Sequence, residues 1–123
     1  MTTWSGEELS AIGDAGELRV ASLRGDGSLR RPRTIWVVRH GDDLYVRSVR
    51  GAEGAWFRGV QERHEGRISA GGLDRDVTFE DADHALDDEV DEEYRQKYGR
   101  TSTAVDRITS TDARSTTIRL VPA

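Results

Sequence analysis

Three short arginine- and aromatic-bearing stretches carry the residues best suited to chemistry. The first is Arg30-Arg31-Pro32-Arg33-Thr34. Proline cannot donate to a sheet ladder, so Pro32 belongs at a strand start or edge. That places Arg31, Arg33 and Thr34 at a strand end, where guanidinium groups can hold a phosphate in bidentate fashion. The second is Arg47-Ser48-Val49-Arg50-Gly51. Ser48 ends a strand, and the glycine-containing loop behind it offers free N–H groups to an anion. Arg47 and Arg50 would add charge. The third is Trp56-Phe57, at the start of a helix, where Trp56 can stack on a ring or fill the core. Basic groups at strand ends beside an aromatic plate suit a ligand that is both flat and anionic.

The other chemistry-bearing types argue by exclusion. There is no cysteine, which removes disulfides, thiolate nucleophiles and cysteine metal sites. His40, His64 and His84 show no metal-ligand spacing, and no metal site is expected. No Walker loop, G-x-G-x-x-G, H-E-x-x-H or G-x-S-x-G occurs. No nucleophile with an evident base is visible, which disfavours hydrolysis. Hydride transfer stays open, because there a cofactor supplies the reactivity and the protein supplies position.

Charge is unevenly placed along the 123 residues. The net charge is -5. Yet Arg19 to Arg67 holds 11 arginines against 6 acidic residues, and Asp74 to Glu93 holds 11 acidic residues and one arginine. An acidic half would be repelled by phosphate backbone, so a general nucleic-acid partner is not expected. No apolar run approaches the ~20 residues of a membrane span. The opening MTTWSGEELS has no basic region followed by an apolar one, so a cytoplasmic location is expected. With 33% charged residues and a mean hydropathy of -0.69, the core must come from short strands.

Those strands and helices can be read from local pattern. Ser5 with Glu8 forms a capping box opening a short helix, with Trp4 positioned as a hydrophobic staple. Leu18 to Leu23 alternates as a strand, and Gly25-Asp26-Gly27 turns. Thr34 to Arg39 reads as one apolar strand, turned by Gly41-Asp42-Asp43 into Leu44 to Ser48. In that strand Leu44 and Val46 share the face opposite Tyr45 and Arg47. Ala55 to Glu62 is a helix. Arg67 to Ala70 and Asp76 to Glu80 pair through Gly71-Gly72. Asp87 to Tyr98 is an acidic helix, Thr103 to Ile108 a short one, and Thr116 to Val121 the last strand. This order predicts one domain over residues 1–123, mainly β with helices (α+β). Its form is a six-stranded antiparallel barrel with helices at the rims.

Taken in order, these motifs resemble the FMN-binding split-barrel superfamily, which includes pyridoxamine-phosphate-oxidase-like flavoproteins and deazaflavin-dependent nitroreductases. Within it the chain is most similar to the branch catalogued as domain of unknown function 2255. The resemblance rests on the Arg31-Pro32 strand start, TIWVV with GDDLYVRS, Ser48-x-x-Gly51, and Ala55-Trp56-Phe57-x-x-Val60. Gly66-x-Ile68, Tyr94-x-x-Lys97-Tyr98 and the closing TTIRLVP complete it. It implies a split barrel, a homodimer with its ligand at the subunit interface, and an FMN or deazaflavin coenzyme. The implied contacts are Arg31, Arg33, Thr34, Arg47, Ser48, Arg50, Gly51 and Trp56. The deazaflavin-dependent relatives have Pro-Trp-(Tyr or Phe)-x-Asn-Leu at the helix start. Here Ala55 replaces the proline and Gly59 the asparagine.

Three functions are therefore compatible with the sequence. One is a flavin or deazaflavin oxidoreductase acting on a small organic substrate. Another is a cofactor-independent cyclase, isomerase or lyase of a biosynthetic pathway, with Tyr45, Arg47 or an acidic residue as acid or base. The third is a non-enzymatic binding module using the acidic helix Asp87 to Tyr98.

Overall fold

The computed structural model describes residues 3–123. Helix α1 (Gly6–Gly13) starts as its sequence requires. Ser5 Oγ accepts from Glu8 N–H at 3.1 Å, and Glu8 Oε1 accepts from Ser5 N–H at 2.9 Å. Trp4 goes beyond a local staple. It is buried in the main core, and its indole N–H donates to the Leu120 carbonyl at 2.9 Å. One side chain thus ties the chain start to its last strand.

The strands are β1 (Leu18–Ser22), β2 (Arg33–Ile35), β3 (Val37–His40), β4 (Asp43–Val46), β5 (Glu65–Ala70), β6 (Leu73–Asp81) and β7 (Ile118–Pro122). All pair antiparallel in one nearly closed sheet of order β2-β1-β5-β6-β7-β4-β3. The helices are α2 (Ala55–Glu62), α3 (Asp87–Tyr98), α4 (Thr103–Ile108) and α5 (Thr111–Arg114). The β5–β6 hairpin turns at Gly71 and Gly72, both with positive φ, +58° and +81°. This is the geometry of a tight two-residue turn.

Seven strands replace the six expected, and the difference lies at Trp36. The run Thr34 to Arg39 is two strands on opposite edges of the sheet, so the chain crosses the barrel's opening between Ile35 and Val37. A continuous strand cannot pair at both edges. Side chains of α3 take over from the ladder at the crossing. Tyr94 Oη donates to Trp36 O at 3.3 Å, and Lys97 Nζ to Val37 O at 2.6 Å. The Tyr98 ring stacks on Trp36 with centroids 3.9 Å apart and planes within 4°. Backbone groups leaving a sheet need such partners.

Strand β4 is buried on both faces for the same reason. Leu44 and Val46 join the barrel core with Leu18, Val20, Ile68, Phe79 and Leu120. Tyr45 faces the other way, into a second cluster with Val38, Val90, Tyr94 and Ile108. Helix α3 covers that face, and α2 packs against β1.

Candidate functional site

Two cavities meet at Trp56. The first, of about 270 Å³, is walled by Ile35, Trp36, Val49, Trp56 and Ile108, with Thr34 and Arg107 also lining it. The second, of about 160 Å³, is a groove that holds Arg24, Arg30, Arg31 and Arg33 together with Ser22 and Trp56. Strand β2 serves both, with Arg33 in the groove and Thr34 and Ile35 in the apolar pocket. Trp56 is half-buried, packed on the barrel core and braced edge-on by Phe57, with ring centroids 6.2 Å apart. Its indole is the shared wall between an aromatic chamber and a cationic one.

The groove is built by a small hairpin between β1 and β2. Leu23 and Leu29 form a β-bridge, and Arg30 N–H donates to Ser22 O at 2.9 Å. This directs the Arg30 side chain across α2, where Gly59 leaves room for it. A β-carbon there would lie 2.9 Å from Arg30 Cδ and 2.6 Å from Ser22 Oγ. Arg30 forms an ion pair with Glu62, yet its Nε is buried without a hydrogen-bond partner. Arg24 Nη1 donates to Leu29 O at 2.9 Å. Arg31 and Arg33 are exposed and carry no ion pair among the described residues. Four guanidinium groups with one carboxylate counter-ion make a strongly positive recess. The Arg30 Nε–H is turned against Gly59 and has no acceptor among the described residues, so a groove anion would meet the terminal guanidinium nitrogens.

Of the residues named from the sequence, Arg31 and Arg33 line the groove, Thr34 the apolar pocket, and Trp56 both. Arg47, Ser48, Arg50 and Gly51 have other surroundings. The Arg47 side chain is wholly buried, and the residue lines the apolar pocket. Its Nε donates to Thr117 Oγ1 at 2.8 Å, and Nη1 to Asp91 Oδ1 and to Ile108 O at 3.2 Å. Nη2 reaches Asp87 O at 3.1 Å. Instead of facing a ligand anion, this guanidinium joins β4 to α3 and α4. Ser48 is buried too, its N–H donating to Thr116 Oγ1 at 2.9 Å and its carbonyl accepting from Gly51 N–H at 3.0 Å. Gly51 is covered by Asp112, whose Cβ lies 3.1 Å from where a glycine β-carbon would stand. Arg50 is exposed and lines neither cavity.

Several site residues escaped the sequence reading. Trp36, inside the apolar run Thr34 to Arg39, packs against the second core cluster and also lines the pocket. Arg24 comes from the hairpin, and Arg107 and Ile108 from α4, while Arg30 belongs to the first stretch singled out in the sequence. The RGDGS turn was the available signal for the hairpin, since it returns Arg30 to the end of β1. Tyr45 lines neither cavity. Its burial, with Asp43 adding to the effect, pushes its hydroxyl pKa above the ordinary tyrosine value. Acid–base work from Tyr45 in this site has no geometric support. Helix α3 buries Val90, Asp91 and Tyr94, and is committed to the barrel rather than presented whole to a partner. Among the described residues no group of three histidine, cysteine or carboxylate side chains could hold a metal ion. No helix there is long and apolar enough to cross a membrane.

Comparison with known proteins agrees with this architecture. A family model described as "Uncharacterized protein conserved in bacteria (DUF2255)" matches residues 8–120. No curated protein sequence matches significantly. Among solved structures, a candidate pyridoxamine 5′-phosphate oxidase from Listeria innocua superposes with TM-score 0.63 at 14% identity, over 95% of this chain and 90% of that one. An F420 reductase superposes with TM-score 0.57 at 12% identity, over 93% and 90%. A candidate 5-nitroimidazole antibiotic resistance protein from Bacteroides thetaiotaomicron VPI-5482 gives 0.57 at 14%, over 99% and 81%. At such identities the likeness is one of fold. By the match over nearly its whole length, the chain belongs to the DUF2255 family, built on a split barrel.

Proposed function

We propose that the protein binds a flat anionic cofactor of the flavin or deazaflavin class and uses it to oxidise or reduce a small organic substrate. The observation that carries this reading is the partition at Trp56. An apolar chamber with two tryptophans lies on one side, and four arginines lie on the other. Such a pair of compartments fits a ring system joined to a phosphate. The solved neighbours of similar fold include a candidate pyridoxamine 5′-phosphate oxidase and an F420 reductase, which supports the same class.

The chain's own residues divide the work. Arg30, Arg31 and Arg33 would hold the anion, with Ser22 beside them. Trp36 and Trp56 would flank the ring and exclude water, and Ile35, Val49 and Ile108 would supply its apolar bed. Thr34 and Arg107 at the rim would orient a polar edge. The bound cofactor would supply hydride transfer, and the protein would supply position and charge. At about 270 Å³ the chamber is near the lower end of the ~300–1,000 Å³ typical of ligand pockets. A second copy of the chain would enlarge it. Val49, 46% exposed, and Leu29, 43% exposed, are large apolar side chains left open beside the two cavities. A homodimer with the site near its interface accounts for them.

Gly59 gives the cofactor-independent reading its one specific support. Where deazaflavin-dependent relatives have asparagine, this chain gives the space to its own Arg30 and Ser22. Titration of FMN and of a deazaflavin, followed by quenching of tryptophan fluorescence, separates the two. Saturable quenching by either supports the cofactor reading. Failure of both at high micromolar concentration would refute it, and turnover unchanged by added flavin would favour the alternative.

A further inference from the structure

Lys97 is the chain's single lysine among 17 arginines. It stands on α3, next to Tyr98, whose ring stacks on Trp36. Its Nζ donates to Val37 O at 2.6 Å and lies 5.0 Å from the Tyr98 ring centroid. No carboxylate is within ion-pair distance of it among the described residues. An ammonium has three donors to satisfy, and here one acceptor is fixed. A neutral amine could keep that bond and leave its lone pair free. Lys97 lines a separate pocket of about 320 Å³ with Gly13, Asp14, Val38, Arg39, Glu93 and Gln96.

The charged groups around this pocket come from three elements. Asp14 follows α1, Arg39 and His40 lie on β3, and Glu93 shares α3 with Lys97. His40 Nδ1 is 2.9 Å from Glu93 Oε2, so Glu93 is already engaged on its outer side. Arg39 bonds the Gly41 carbonyl through Nε at 2.8 Å, while its remaining contact to Asp42 is a loose 3.9 Å. A nucleophilic amine and a loosely engaged guanidinium therefore border one recess.

We propose that this recess takes a small oxo-carboxylate, whose carbonyl carbon is attacked by Lys97 Nζ while Arg39 holds its carboxylate. The amine lone pair forms the C–N bond, and its proton passes to the carbonyl oxygen to give a carbinolamine. Loss of that hydroxyl as water then gives an imine, with no change of oxidation state. Glu93, which lines the same recess and contacts His40, would take the remaining amine proton and pass it to the departing hydroxyl. Burial, with Asp14 opposing it, lowers the Lys97 pKa to about 8, which leaves a usable fraction of free amine near neutral pH.

Reductive trapping tests the assignment without reference to any cofactor. The folded protein is treated with glyoxylate or acetaldehyde and cyanoborohydride, and the adduct is located by peptide mapping. Glyoxylate is expected to label Lys97 faster than acetaldehyde does, with the rate rising through pH 8. Arg39→Gln, at a partly exposed position, should slow glyoxylate labelling about tenfold and leave acetaldehyde labelling unchanged. Equal rates for the two aldehydes at Lys97, no labelling of Lys97, or an Arg39→Gln variant indistinguishable from the parent would each overturn the proposal.

Discussion

Gly59 and Arg30 occupy complementary space: a β-carbon on the glycine would stand 3.0 Å from the arginine's Nε and 2.9 Å from its Cδ. Helix α2 thus has a notch into which the hairpin arginine is laid, and the groove owes its inner cation to a missing side chain. Gly59→Ala tests this directly. Alanine favours the helix by ~1 kcal/mol, and the shifts forced on Arg30 and on buried Ser22, whose Oγ would lie 2.6 Å away, offset that gain. Stability in urea should stay within about 1 kcal/mol of the parent. Affinity for FMN should fall about tenfold, because Arg30 loses its seat. Unchanged affinity would remove Arg30 from the anion site.

Arg47 is expected to act on stability instead of on ligand binding. Replacing it by leucine leaves Asp91, which is itself buried, with only its longer 3.4 Å contact to Arg114. Breaking a buried pair in this way costs ~3–5 kcal/mol. The urea midpoint should drop steeply for Arg47→Leu. Substituting Asp91 by leucine as well should recover part of the loss. A variant that kept its midpoint but lost FMN affinity would make Arg47 a ligand contact after all.

The alkaline limb of stability carries a signature of the α3 end. Lys97 titrates near 8 when folded and near 10.5 when unfolded, so between these values the unfolded chain binds more protons. Stability therefore rises as pH increases from about 8 toward 10.5. Tyr94 and Tyr98 work the other way. Burial raises both hydroxyls above 10, Tyr98 to about 12, so stability falls once the unfolded tyrosines ionise above pH 10. Chemical denaturation at a series of pH values should show this rise and fall. Lys97→Met should abolish the rise and keep the fall.

The Arg31/Arg33 pair should govern the salt dependence of binding. Both guanidinium groups are exposed, so their pull on a phosphate is screened within ~8 Å at physiological ionic strength. Arg31→Gln with Arg33→Gln should weaken FMN binding mainly at low salt and flatten its dependence on salt. Fluorescence titrations at two ionic strengths would measure the change. An unaltered salt slope would place the anion elsewhere.

What the sequence disclosed was local in origin. The Ser5–Glu8 box, the Gly71-Gly72 hairpin, the helix Ala55 to Glu62 and the face switch between Leu44 and Tyr45 all depend on near neighbours. Trp56 and Arg31 to Thr34 were legible because a proline-marked strand start and a helix start adjoin the same opening. The misreadings were long-range. Arg47 finds Asp91 across 44 positions, and no spacing rule announces that partner. Trp36 looks like the centre of an apolar strand until the sheet order sends the chain from one edge to the other. The fit of Arg30 over Gly59 depends on the tertiary placement of α2 against β1.

The most direct test of the two-compartment site compares FMN with riboflavin, which has the same ring and no phosphate. If Trp56 divides a ring chamber from an anion groove, both should quench tryptophan fluorescence, FMN at markedly lower concentration. That advantage should disappear in the Arg31→Gln, Arg33→Gln variant. Equal affinity for the two ligands in the parent protein, or quenching by neither, would contradict the account.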